Sequence, residues 1–212
     1  MFKGQRNSGL KANMKYRIHL FFLAVICSVV LIPVVHAAPT TAPDYGALEQ
    51  AAEKGDSQSL KQLQADANSG DANAQYYLGV YYDSNNQYVD AFKWFLKAAE
   101  QGYASAEEYL GYYYEQGQGA KQDYTQAFNW YQKAAAQGNA DAQYGLGALY
   151  ERGLGTKRDY AQAFNWLQKA AQQGDADAEN ALGDLYALGF GIPQNYTEAF
   201  NWYQKAAEQG NA

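Results

Sequence analysis

The sequence predicts an all-α solenoid of stacked antiparallel helix pairs, and three observations predict it. The segment YTQAFNWYQKAAAQG beginning at Tyr124 recurs as YAQAFNWLQKAAQQG from Tyr160, as YTEAFNWYQKAAEQG from Tyr196 and, more loosely, as YVDAFKWFLKAAEQG from Tyr88. Trp94, Trp130, Trp166 and Trp202 stand 36 residues apart without a slip. A Leu-Gly pair repeats in the same register at Leu78-Gly79, Leu110-Gly111, Leu146-Gly147 and Leu182-Gly183. A fixed period of this length marks units that cannot bury their apolar faces alone and do so by stacking.

The first 37 residues read as a leader. Lys3, Arg6, Lys11, Lys15 and Arg17 form a basic stretch, Leu20 to Val35 is mostly apolar, and Val35-His36-Ala37 offers a small-residue cleavage site. The apolar run is short for a membrane span, which needs about 20 residues. Residues 38–44, APTTAPD, carry Pro and Thr without apolar periodicity and are expected to be a disordered lead-in. Tyr45 to Lys54 and Ser59 to Ala67 then show short helical patterns, so residues 45–70 read as a degenerate first helix pair that caps the array.

Four full units follow, at 71–102, 103–138, 139–174 and 175–210. Helix A is expected over about Ala140 to Glu151 in the third unit, where Ala142, Leu146, Leu149 and Tyr150 recur at helical spacing. Helix B is expected from about Tyr124 to Gln137 in the second, with Ala127, Phe128, Tyr131, Ala134 and Ala135 on one wide apolar face and Trp130 at its edge. Asn139 and Asp175 precede A helices, and Asp123, Asp159 and Asn195 precede B helices, where side-chain caps are needed. Gly102, Gly138, Gly174 and Gly210 end the B helices. The A-to-B connection is Gly-x-Gly in three units, and in the first it is replaced by the shorter Asp83-Ser84-Asn85-Asn86.

Composition narrows the function. Without the leader, 175 residues carry 11 basic and 22 acidic side chains and neither His nor Cys. So acidic a chain is poorly suited to nucleic acid or anionic membrane surfaces, where Lys and Arg neutralise phosphates. It lacks a His general base, a thiolate nucleophile and His/Cys zinc ligands. The Gly-x-Gly loops follow no strand and precede no Gly-Lys-Ser/Thr, so they are not phosphate cradles. No catalytic residue, metal or cofactor is expected.

The recurring Ala74, Leu78-Gly79, Ala91, Trp94, Ala98-Ala99 and Gly102, with their equivalents in each later unit, resemble the Sel-one-like repeat, a relative of the tetratricopeptide repeat. The resemblance covers Asp71 to the C-terminus. It implies a right-handed, tetratricopeptide-like superhelix of a kind that mostly serves as an adaptor or scaffold. Some exported bacterial members carry a cysteine pair in each repeat; this chain has none.

With one Trp per unit at one place, the tryptophans are expected in packing rather than in a ligand site. The variable positions lie on the far side of helix A from its leucines: Tyr76; Glu108, Tyr112 and Glu115; Tyr144 and Glu151; Asn180 and Asp184. An ordinary solvated face would vary in the same way, but tyrosines among carboxylates favour a recognition surface. The expected partner is a protein or peptide, with basic and apolar residues to match. A cell-wall-directed enzyme and a structural subunit of an envelope complex are the alternatives. The B helix from Tyr196, with no further A helix over Phe200, Tyr203, Ala206 and Ala207, is expected to self-associate weakly. Export to periplasm or exterior predicts a mature chain beginning at Ala38. Mass spectrometry of exported protein should find that mass, and an intact N-terminus in a membrane fraction would contradict the leader.

Overall fold

The computed structural model describes residues 42–210, so the leader at 1–37 and most of the lead-in at 38–44 lie outside the described residues. The chain from Asp44 onward forms one compact unit. Ten helices and no strand occur among the described residues. They pair as α1 (Tyr45–Glu53) with α2 (Ser57–Ser69), α3 (Ala72–Ser84) with α4 (Tyr88–Glu100), α5 (Ala104–Gln116) with α6 (Tyr124–Ala136), α7 (Ala140–Arg152) with α8 (Tyr160–Gln172), and α9 (Ala176–Leu188) with α10 (Tyr196–Glu208). Their order and packing make an α-solenoid.

Side-chain caps set most of the starts. Asp71, Asn139 and Asp175 accept from backbone N–H groups in the first turns of α3, α7 and α9. Asp123, Asp159 and Asn195 do the same for α6, α8 and α10. Such a cap satisfies one of the four orphan donors of a helix and contributes about 1 kcal/mol. Asp56 caps α2 through Gln58 N at 3.0 Å, which is why that helix starts two residues earlier than its apolar pattern suggests. Asp83 and Ser84 are helical, so the short first connection is Asn85 to Gln87, with Asn86 left-handed at φ 58°.

The buried apolar clusters join helix B of one unit to helix A of the next. Ala91, Phe95 and Ala98 of α4 pack with Ala106, Leu110 and Tyr113 of α5. The α6–α7 and α8–α9 contacts repeat this arrangement around Leu146 and Leu182. At the start of the array, Leu63 and Ala67 of α2 meet Leu78 of α3. Helix B is thus buried between its own helix A and the helix A of the next unit.

Two glycine positions make the spacing possible. A Cβ on Gly79 would stand 2.7 Å from the Phe95 ring, one on Gly111 2.5 Å from the Tyr131 ring, and one on Gly147 2.7 Å from Leu167. Helix A thus has no side chain where the bulky core residue of its own helix B presses in. The second glycine of Gly-x-Gly backs onto the previous unit: at Gly155, φ 68°, a Cβ would collide with the carbonyl of Tyr124. A polar clasp repeats alongside. Gln101, Gln137, Gln173 and Gln209 each donate to the buried Gln75, Glu107, Gln143 or Glu179 of the paired A helix, at 2.8, 2.7, 2.9 and 2.8 Å. These bonds satisfy polar groups that would be costly to bury unpaired.

The tryptophans pack, but not in the core. All four are half-buried at the edge of helix B, and Trp130, Trp166 and Trp202 close the core cluster of the preceding unit pair. The Lys three residues on lies over each ring, at 3.8, 3.7, 3.9 and 4.0 Å from the centroid. The residue one place further along, Phe95, Tyr131 or Leu167, is the one that is buried. Leu167→Ala should therefore cost about 3 kcal/mol as a large-to-small core change, and Trp166→Ala less. Chemical denaturation of the two variants would show the order, and a larger loss for Trp166→Ala would reverse this assignment.

Candidate binding groove on the A helices

The A helices α1 and α3 touch directly, as do α5 and α7, whereas no two B helices meet to that extent. Where neighbouring A helices meet in this way, the stripes averted from their leucines form one face. Between α5 and α7 this face sinks into a hollow of about 430 Å³. It is lined by Glu108, Tyr112 and Glu115 from α5, by Asp141, Tyr144 and Arg152 from α7, and by Tyr131 from α6 below.

One local substitution opens it. The position occupied by Tyr77 in the first unit and Tyr109 in the second is Gly145 in the third. Tyr109 stacks on Phe95 with ring centroids 4.4 Å apart, filling the space between units. Gly145 leaves that space to the Tyr131 ring, whose Cζ lies 2.8 Å from where a Cβ would stand. The Tyr131 side chain so reaches the hollow, and its hydroxyl donates to Glu115 Oε2 at 3.1 Å. Arg152 completes this corner with an ion pair to Glu115 at 3.2 Å.

The eight stripe residues do not share one fate. Glu108, Tyr112, Glu115 and Tyr144 come together in the hollow. Tyr76 lies apart and is engaged in packing, with its ring against Tyr77, Phe95, Tyr103 and Tyr109. Glu151, Asn180 and Asp184 lie further along, on α7 and α9, and Asp184 accepts from the Tyr203 hydroxyl at 2.6 Å. Tyr131, Asp141 and Arg152 complete the hollow and were not on the stripe. Tyr131 belongs to helix B by its spacing, and only the break in the series Tyr77, Tyr109, Gly145, Ala181 marks in the sequence that it has room to extend.

A family model of the Sel1 repeat matches residues 72–103, 104–139, 140–175 and 176–211. The chain belongs to the Sel1 repeat family. Among solved structures, it is similar to c5321, a protective antigen present in uropathogenic Escherichia coli strains and displaying an SLR fold. The identity is 46%, the TM-score 0.69, and the match covers 72% of this chain but 33% of that one. The chain thus spans about a third of the length of that relative. A Sel1 repeat protein from Oxalobacter formigenes is 34% identical over 78% of this chain and 69% of its own, with a TM-score of 0.68. A putative Sel1 repeat protein from Klebsiella pneumoniae is 30% identical over 69% of this chain and 72% of its own, with a TM-score of 0.55. No curated protein matches.

Electrostatics separate the two corners of the hollow in this Sel1 array. Glu115 has its counter-ion in Arg152. Glu108, by contrast, faces the negative Asp141 across the gap, together with the phenols of Tyr76, Tyr109 and Tyr131. Burial first, and the Asp141 charge second, push its carboxyl from the ordinary 4.5 up to about 8. Glu151 is raised in the same direction by burial and by Asp184. Folding therefore binds a proton more tightly at Glu108 than the unfolded chain does. The stabilisation this brings is complete below pH 4.5 and is lost as pH rises through 8. Glu108→Gln should match the parent in thermal midpoint at acidic pH and exceed it by a few degrees in alkaline buffer. Calorimetry across that range checks it, and parallel midpoints for the two proteins would place the carboxyl in open water.

Proposed function

We propose that the chain is an exported scaffold that holds an extended or helical segment of a partner protein along the concave face of its A helices, with no chemistry of its own. Sel1 repeats form helical scaffolds typically used for protein interaction, and the leader pattern of residues 1–37 supports export. Among the described residues no helix is long and apolar enough to cross a membrane.

The observation that carries the reading is the hollow between α5 and α7. Tyr112 is 41% exposed on one wall and Tyr144 half-buried on the other, so two rigid amphipathic rings frame the carboxylates of Glu108 and Asp141. The one basic side chain lining it, Arg152, is engaged by Glu115. A lysine or arginine of the partner would supply the missing counter-ion and lie against the tyrosine faces, where a cation gains about 0.5–2 kcal/mol. Apolar neighbours on that segment would cover the rings. Recognition of this kind weakens with salt, because exposed charges are screened over about 10 Å at 0.1 M. It strengthens as pH rises through 8, when Glu108 ionises.

A displayed random-peptide library selected on the folded protein tests this directly. Enriched peptides should share a basic residue flanked by apolar ones, bind more weakly as salt increases, and lose at least tenfold in affinity to Tyr112→Ala combined with Tyr144→Ala. Enrichment of acidic or uncharged sequences, or equal binding to a folded double variant, would remove the groove from consideration.

A further inference from the structure

The hollow between α5 and α7 is a slot that runs lengthwise between two helices. Its walls follow helical spacing, with Glu108, Tyr112 and Glu115 on α5 and Asp141, Tyr144 and Arg152 on α7. Asp141 acts on Glu108 near the start of both helices, and Arg152 pairs with Glu115 near their ends, so α5 and α7 point the same way. At a rise of about 1.5 Å per residue, the two ends stand roughly 10 Å apart along α5 and roughly 16 Å apart along α7. Glu108 and Asp141 mark one end, and neither has an ion-pair partner among the described residues. Tyr112 and Tyr144 stand between the ends.

The far end presents a cation to the slot. Both oxygens of Glu115 are taken, Oε1 by Arg152 and Oε2 by the Tyr131 hydroxyl. The Glu115 side chain is 14% exposed and that of Arg152 54%. Of the guanidinium, only Nη1 has a partner among the described residues, whereas the group carries several N–H donors in a planar fork. Glu115 therefore holds Arg152 in place and leaves its outer edge open to a second acceptor. Helix A ends in Ser84, Gln116 and Leu188 in the other units, so only the third of these four A helices ends in a cation.

Resting on the groove reading above, we propose that Arg152 sets the register and specificity of this site. The slot seats a short extended stretch of the partner lengthwise, with a basic residue at Glu108 and Asp141 and a carboxylate side chain three residues away at Arg152. Three residues of polyproline II chain advance about 9 Å and bring the side chain back to the same face, which suits the length of the slot. The two residues between lie against Tyr112 and Tyr144. A second basic residue in place of the carboxylate would meet the guanidinium, so Arg152 selects against uniformly basic segments as well as for mixed ones.

Calorimetric titration of the protein with end-capped peptides tests this, in buffer above pH 8 where Glu108 is ionised. The peptides carry lysine, two apolar residues, and then glutamate, glutamine or lysine. The glutamate peptide should bind about threefold more tightly than the glutamine one, as an exposed charge pair does. The dilysine peptide should bind about tenfold more weakly than the glutamate one, opposite to the order that the chain's net charge of -6 favours. Arg152→Ala combined with Glu115→Gln removes a pair of opposite charges and leaves the net charge unchanged. That variant should lose the glutamate preference, and Arg152→Lys should keep it. Equal affinities for the three peptides, or a glutamate preference that survives in the folded double variant, overturns the proposal. The groove itself stands in that case if Tyr112→Ala with Tyr144→Ala still weakens binding. Binding by none of the peptides removes the groove and the proposal together.

Discussion

The packing of helix A on helix B in every unit depends on the absence of a side chain at one place in helix A. Gly79, Gly111, Gly147 and Gly183 each admit the core residue of their own helix B, and a methyl group at any of them would overlap a ring or a leucine. A mid-helix glycine costs roughly 1 kcal/mol relative to alanine. Here the cost is offset by a buried Phe95, Tyr131 or Leu167, whose full burial contributes on the order of 2–3 kcal/mol. Because these residues then carry the core across to the next A helix, the distance between helices within a unit also sets the distance between units.

Regularity of the frame is what makes its single irregularity consequential. The core residue of helix B and the residue facing it on the next A helix vary together: Phe95 with Tyr109, Tyr131 with Gly145, Leu167 with Ala181. The large-with-small pairing at Tyr131 and Gly145 keeps the volume filled, yet it turns a core side chain towards the groove. Its hydroxyl and Arg152 then hold Glu115, and that leaves Glu108 and Asp141 facing each other without a cation. The hollow is a by-product of packing with a specific electrostatic character, distinct from the solvated carboxylates elsewhere on the surface.

The groove owes its character to what core packing leaves over. Inside the array, the stripes of α5 and α7 are left over after core packing, and these helices carry the carboxylates of Glu108, Glu115 and Asp141 into the hollow.

The sequence by itself determined the architecture. The 36-residue register of Trp, Leu-Gly and Gly-x-Gly, the Asp and Asn caps and the B-helix glycines are local signals, each acting within a turn or a loop, and a strict period transmits them along the chain. It also placed the variable stripe on helix A, because helical spacing alone assigns residues to faces. Tertiary structure decided what spacing cannot express. The tryptophans look central by recurrence but sit half-exposed under lysines, since the inter-unit core passes through the next residue. Tyr76 shares the stripe's spacing yet packs among four rings, because the neighbouring unit supplies Tyr103 and Tyr109. Tyr131 and Arg152 enter the site from outside the stripe, 16 and 37 residues from the Glu115 that they hold. Such partnerships depend on which side chains the stack brings within reach and how deeply it buries them, and a one-dimensional period records neither.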